Sequence, residues 1–487
     1  MNQHRNKRRL RAHLVFIYGL MVFSVISIVA ILILVILGYR YNAFDGKVEQ
    51  GGLVQFDSRP SGATVAVDGT NLANRTASKI TLTAGSHTIM MSRDGYGSWT
   101  KKVTVKPGSV LWLNYALLFP NKPTLSTAET FTTVTSALPA PNEKKLATVS
   151  DDSGAIQVTT LDVDTPTTTK VTIPADNYTA AAEGETSSFE LLQWDKDSRY
   201  LLMRHTHGTS HEYLSVDTQD STAHNLTKGL GVDITTVTFS ASDANTVYLV
   251  NAAHELRRAS VREMTMTGPI ASNVSTVQAS EKNLVVYATL PDDSGARTVG
   301  YVSSGAVKAK TIRSYSSLSA DATLLGLSGA YYGEHYTVIA HGESVDILKG
   351  DLPTSENTDE LTLSSAGSFT ITGGAQYLGF TSELNRLVYA QKSTTVATYD
   401  LELATTAQNT LPTDQHRRVE WIDGYHFATT GDHNGSYAEY DGTNGVTFAT
   451  NISNLPIVLS SGNKYLYYFV PTDTSGVNLM RAKMTTN

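Results

Sequence analysis

Trp194-Asp195-Lys196-Asp197-Ser198-Arg199-Tyr200-Leu201-Leu202 is a polar turn that runs into an apolar strand. The same unit recurs from Asn142 to Val149, Ser242 to Leu249, Ser280 to Tyr287, Leu384 to Tyr389, Trp421 to Phe427 and Ser461 to Tyr468. A second turn follows in several units: Asp151-Asp152-Ser153-Gly154, Pro291-Asp292-Asp293-Ser294-Gly295 and Pro471-Thr472-Asp473-Thr474-Ser475-Gly476. The runs between turns are short and rich in β-branched and aromatic residues, with no helical period, which reads as strands. The units are spaced by roughly 38–60 residues, the range of propeller blades. A string of β-sandwiches needs about 90–100 residues per unit, with linkers between. Residues 133–487 are therefore predicted to form a seven- or eight-bladed β-propeller-like domain.

The repeated unit resembles the WD-like repeats of Tol-type periplasmic propellers, whose strand opens on a Ser-Pro-Asp-Gly-Lys turn. This chain keeps the polar turn but almost never the Pro-Asp-Gly.

Upstream, Pro120, Pro123 and a Thr/Ser-rich stretch read as a linker over 120–132. Before it, residues 52–119 hold about six short runs broken by turn pairs, the pattern of a small β-sandwich. Ala63 to Val67 alternates and stops at Asp68-Gly69; Lys79 to Leu82 stops at Ala84-Gly85. His87, Ile89 and Met91 alternate and stop at Asp94-Gly95; Val103 to Val105 stops at Pro107-Gly108; Val110 to Leu118 ends the unit. This frame resembles the PEGA domain family, whose Pro-Glu-Gly-Ala motif stands here as Pro60-Ser61-Gly62-Ala63. Asp68-Gly69, Gly85-Ser86-His87 and Asp94-Gly95-Tyr96 match it as well; the family's Thr-Pro pair is Thr76-Ala77 here. The resemblance implies a surface-layer-like β-fold, common in bacterial and archaeal envelope proteins; it does not imply catalysis. Pro60, Gly62, Ala63, Asp68, Gly69, Gly85, His87, Gly95 and Tyr96 are expected to form the fold, the glycines by supplying turn dihedrals.

Residues 40–51 read as a short polar tether. Residues 14–39 carry no charge and about eighteen Leu, Ile, Val or Phe, enough to cross a hydrocarbon core as a helix. Tyr18 and Phe16 lie at one end, Tyr39 and Tyr41 at the other. The tail 1–13 holds Arg5, Lys7, Arg8, Arg9 and Arg11 and no acid, while Arg40 and Lys47 downstream are mixed with Asp45 and Glu49. The positive-inside rule then places the N-terminus in the cytoplasm and the bulk outside. A cleaved signal peptide would have a shorter apolar run and a small-residue cleavage site, and Gly38-Tyr39-Arg40-Tyr41 offers none.

Composition narrows the chemistry. The 487 residues include no cysteine, which excludes disulfides, thiolate metal sites and cysteine nucleophiles. The net charge is -7, and setting aside the five N-terminal cations leaves about -12 for the rest, a poor match for nucleic acid. His205, His207 and His211 cluster, and alternation puts the first two on one strand face, but no carboxylate completes a metal set. Gly208-Thr209 reads as the tip of a solvated hairpin, and Asp151-Asp152 and Asp292-Asp293 as turns rather than calcium loops. Nucleophile elbows, phosphate loops and dinucleotide fingerprints are absent from the sequence. The expectation is a non-catalytic, membrane-anchored envelope protein without cofactor, touching the bilayer through 14–39 and a glycan or protein partner through the propeller. The rival is a propeller hydrolase of envelope glycans or peptides, whose carboxylate pair need not be close in sequence. A sensor is a third reading, but thirteen tail residues leave no room for an effector domain.

Overall fold

The computed structural model describes residues 3–36, 38–42, 47–149, 154–280, 284–354, 361–381, 385–412, 418–473 and 476–485; of 3–14, 40–42 and 47–48 it describes the backbone only. The contacts divide the chain into two units, Met1–Lys122 and Pro123–Asn487.

In the first unit, Gln3–Ile36 is one α-helix. Its segment Val15–Ile36 has a mean hydropathy of 3.1 and buries nothing, so it is long and apolar enough to cross a membrane. The side chains of Arg5, Lys7, Arg8, Arg9 and Arg11 lie outside the described residues. The expected tether over 40–51 is a correction: Tyr39–Asn42 pairs antiparallel with Lys47–Gln50. Tyr39, Tyr41 and Val48 have strand propensity, which the polar residues between them masked in the sequence.

The sandwich has one sheet in the order Ser78–Leu82, Gly52–Arg59, Val110–Leu117, and a second in the order Thr70–Arg75, Thr64–Val67, Gly85–Ser92, Trp99–Val105. Gly52–Arg59 buries every second residue, as a half-covered strand should. Val54, Phe56, Val65, Ile89, Met91, Trp99 and Leu113 fill the core, where Trp99 meets Tyr115 edge-on at 6.1 Å. The seventh strand, Thr70–Arg75, was not expected. It is an exposed edge of Asn, Thr and Arg, so it carries no alternating apolar signal.

The second unit holds eight four-stranded antiparallel sheets among the described residues. They start at residues 136, 187, 234, 274, 324, 377, 420 and 458 and are called blades 1 to 8. In blades 1 to 7 the strands are ordered as in the chain. Blade 8 is composite: Val458–Leu459, Tyr465–Pro471 and Val477–Lys483 are completed by Leu125–Phe131. The expected linker over 120–132 thus contains the strand that joins the two ends of the propeller. Its partner lies about 350 residues away in the chain, beyond any local pattern.

Apolar faces meet between successive blades. Blades 1 and 2 share Val149, Ile156, Phe189, Leu201 and Val216; blades 4 and 5 share Val286, Val299, Leu324 and Ile339. The ring closes where Phe131, Tyr467 and Phe469 of blade 8 pack on Leu146 and Leu161 near blade 1, and Tyr467 donates to the Leu161 carbonyl at 2.8 Å. Fully burying each such side chain contributes roughly 1.5–3 kcal/mol, so the interfaces between blades hold the propeller.

The repeated polar turn joins a blade's first and second strands, and its physics is now visible. Asp195 accepts the backbone N–H groups of Asp197, Arg199 and Tyr200. Asp423 does the same for Tyr425 and His426, Asp243 for Thr246, and the Ser460 hydroxyl for Tyr465. A side-chain oxygen captures the donors that open the second strand, so the Pro-Asp-Gly of related repeats is dispensable.

Candidate site at the mouth of the propeller channel

First strands of successive blades touch one another, as Ser136–Pro139 does Ser187–Trp194 and Val274–Ser280 does Leu324–Tyr331, the arrangement of the innermost strands of a propeller. At five of the junctions between blades a side chain of one blade accepts a backbone donor of the next. Ser136 accepts from Leu191 N–H at 3.1 Å, Gln193 from Phe239 N–H at 3.1 Å, and Ser280 from Ser328 N–H at 3.1 Å. Gln391 accepts from Val419 N–H at 2.7 Å and Glu420 from Ile457 N–H at 2.9 Å. Buried donors at an open sheet edge need partners, and these links supply them around the axis.

Where the first strands end, a recess of about 390 Å³ opens, within the range of small-ligand sites. It is wide because its wall is made of small residues from four blades: Ser240, Ala279, Ser280, Ser328, Gly329 and Gly379. The last two are obligatory. A Cβ on Gly379 would stand 2.6 Å from the Tyr389 ring, and one on Gly329 would strike Phe380. Arg418 is exposed on the rim; its Nε donates to the Tyr389 hydroxyl at 2.7 Å and its guanidinium lies 5.5 Å from that ring centre. Lys196 is also on the rim, with both Asp197 oxygens at 2.8 Å. Among the described lining residues there is no carboxylate. Nearby, the buried Thr381 hydroxyl and Trp421 indole N–H have no hydrogen-bond partner among the described residues.

The histidine cluster falls elsewhere, in blade 2. Gly208-Thr209 is a hairpin tip, as expected, with His207 opposite Ser210. His205 and His207 share a face, their rings 5.5 Å apart. The solvated setting is corrected for His205, which is wholly buried because Phe189 stacks on it at 4.3 Å and Tyr178 meets its edge at 5.2 Å. Its Nε2 is 2.9 Å from the Ser187 hydroxyl and its Nδ1 2.9 Å from Glu212. Glu212 also accepts from Thr179 N–H, the Thr179 hydroxyl and Asn225. Burial opposes its ionisation, but these bonds outweigh burial and hold its pKa below the ordinary value. No group of three His, Asp or Glu among the described residues is placed to hold a metal ion.

The motif residues of the sandwich serve the fold. Thr76 clamps the Pro60 to Ala63 turn: its hydroxyl meets Ser58 at 2.7 Å and accepts Ala63 N–H at 2.9 Å, and its carbonyl accepts Gly62 N–H. His87 bridges Asp68 at 2.7 Å and the Thr83 carbonyl at 2.9 Å, tying two turns. Gly62, Gly69, Gly85 and Gly95 all have positive φ, and Tyr96 is buried under Arg93. Asp292 caps its own turn through Ser294 and Ala296 N–H; Asp151 and Asp152 lie outside the described residues.

Fold and site define a propeller joined to a small two-sheet domain behind an apolar helix. Residues 52–118 match the PEGA domain, and that segment is a PEGA domain. No curated protein matches the chain. Among solved structures, the β-propeller domain of Cps50 (Swd1) from Myceliophteria thermophila is similar, with a TM-score of 0.42 and 10% identity over 74% of this chain and 100% of its own. The C-terminal WD40 domain of Sif2 gives 0.42 and 11% over 74% and 98%. An oligogalacturonate lyase in complex with manganese gives 0.41 and 12% over 75% and 98%.

Proposed function

We propose that this chain is a membrane-anchored binding protein of the cell envelope. The N-terminal helix spans the bilayer with its N-terminus in the cytoplasm. The PEGA domain and the propeller stand outside, and the propeller binds an envelope glycan or protein without turning it over.

The channel mouth carries this reading. Its described lining offers hydroxyls, an amide at Asn385 and the guanidinium of Arg418, groups that hold a polar ligand. Hydrolysis of a glycosidic bond needs two facing carboxyl groups, and the described lining has none. Ser187, His205 and Glu212 have the distances of an acyl-transfer triad. An imidazole enclosed under Phe189 cannot pass a proton to a leaving group, so this chain of bonds supports packing of blade 2.

The full chain in detergent should co-sediment with isolated cell envelopes, and Arg418→Ala should weaken that binding. Added DNA should not compete, given the acidic body. Turnover of purified envelope glycan that survives stringent purification, and that one Asp or Glu substitution abolishes, would overturn the non-catalytic reading.

A further inference from the structure

A second recess, of about 470 Å³, lies between blades 2 and 3. It is built from the turns that end the first and third strands of both blades; it shares no lining residue with the channel recess, although Lys196 and Ser240 of that recess stand on the same turns as Arg199 and Asp243. Its floor includes Tyr200 and the buried Val261. On the blade 2 side, Arg199 lies 5.1 Å from the Tyr200 ring centre and donates from Nε to both oxygens of Asp217, at 3.0 and 2.9 Å. Asp217 is only 4% exposed and also accepts Gln219 N–H, so the pair is fixed in place. On the blade 3 side, Asn245 is held at both ends, by Ser260 and by Arg262 N–H. Two lining groups are uncommitted among the described residues. The Arg262 guanidinium has only a 3.4 Å contact with the Tyr200 hydroxyl, and the half-buried His224 imidazole has no hydrogen bond.

The lining mixes both signs: Arg199 and Arg262 against Asp217, Asp220 and Asp243. A strongly charged ligand of either sign would meet fixed like charges here. A neutral polyol meets none, because each hydroxyl donates to a carboxylate and accepts from a guanidinium. We propose that the recess between blades 2 and 3 is a second binding site, for a neutral sugar of one or two rings, with Arg262 and His224 reaching its hydroxyls. The proposal is for binding alone.

The test is calorimetric titration of the full chain in detergent with cellobiose, maltose and N,N′-diacetylchitobiose, beside the acidic digalacturonate. At least one neutral disaccharide should bind saturably and more tightly than digalacturonate. His224→Ala, a side chain without a hydrogen bond among the described residues, and Arg262→Ala, which loses only the 3.4 Å contact with the Tyr200 hydroxyl, should each weaken binding by about tenfold, the loss expected for a hydrogen bond to a charged or buried polar group. Arg418→Ala should leave it unchanged, which separates this site from the channel mouth. The proposal falls if no neutral disaccharide binds at millimolar concentration, if both variants bind as the parent does, if digalacturonate binds best, or if the sugar is cleaved.

Discussion

Glu212 accepts four hydrogen bonds from three residues while almost wholly buried. Replacing it with Ala strands the donors of Thr179 and Asn225, and at about 1–3 kcal/mol for each buried group left unsatisfied the loss should reach about 3 kcal/mol. The pH dependence follows from its lowered pKa. A depressed folded-state pKa contributes stability that is complete above the unfolded value, near 4.5, and is lost as the pH falls through the folded value. Glu212→Gln should therefore be less stable than the parent at neutral pH, with the gap narrowing once the pH drops below about 4.5. Denaturant unfolding across that range reads it directly, and a gap independent of pH would refute the assignment. This site was half legible in the sequence. Alternation put His205 and His207 on one face and Gly208-Thr209 at a tip, as found. Ser187 and Glu212 were missed because they reach His205 across neighbouring strands at separations of 18 and 7 residues, and no motif fixes such spacings.

Seven of the eight first-to-second-strand connections announced themselves by a polar turn, and the exception shows what the signal was. In blade 5, Leu324–Tyr331 turns back into Glu334–His341 through Tyr332-Gly333, both with positive φ. A two-residue hairpin of this kind closes on backbone twist alone and needs no side-chain cap, so no Asp or Ser marks it. The strand Leu125–Phe131 was silent for a different reason: its alternation is weak, and only the distant Val477–Lys483 makes it a strand. That strand has a measurable role. Phe131 is buried against Phe469 at 6.3 Å, and Phe131→Ala should cost about 3–5 kcal/mol. Deleting 125–131 leaves Val477–Lys483 as an open edge. Amide exchange over 477–483 should then speed up and the protein should aggregate at lower temperature than the parent. Unchanged protection there would mean that the ring closes without this strand.

Across the whole chain, three regions place different demands on their solvent. The propeller and the sandwich bury their apolar residues internally, whereas Val15–Ile36 exposes its Leu, Ile, Val and Phe side chains. A 22-residue helix of this hydropathy has no stable place in water. At a few tenths of a kcal/mol per large apolar residue, transfer to a bilayer is favourable by several kcal/mol. Two fates satisfy that: an anchor that stays, or a signal sequence that is removed. The apolar run and the absence of a small-residue site before Arg40 favour the anchor. Mass analysis of the membrane-bound protein should then return peptides from the Leu14 to Tyr39 segment; their absence, with a new N-terminus after it, would sink the anchor. The proposed orientation rests on a separate feature, the five cations of the first thirteen residues. Protease added to cells stripped of their outer layers should digest the chain beyond residue 50 and spare the N-terminal tail. Changing Arg8, Arg9 and Arg11 to Glu removes three of the five cations and adds three acids, so the K/R excess no longer favours the cytoplasmic side. A measurable share of the variant should become protected from external protease. If the variant is digested as fully as the parent, the orientation is set by something other than the flanking charge, and the folded mass of the propeller would be the first suspect.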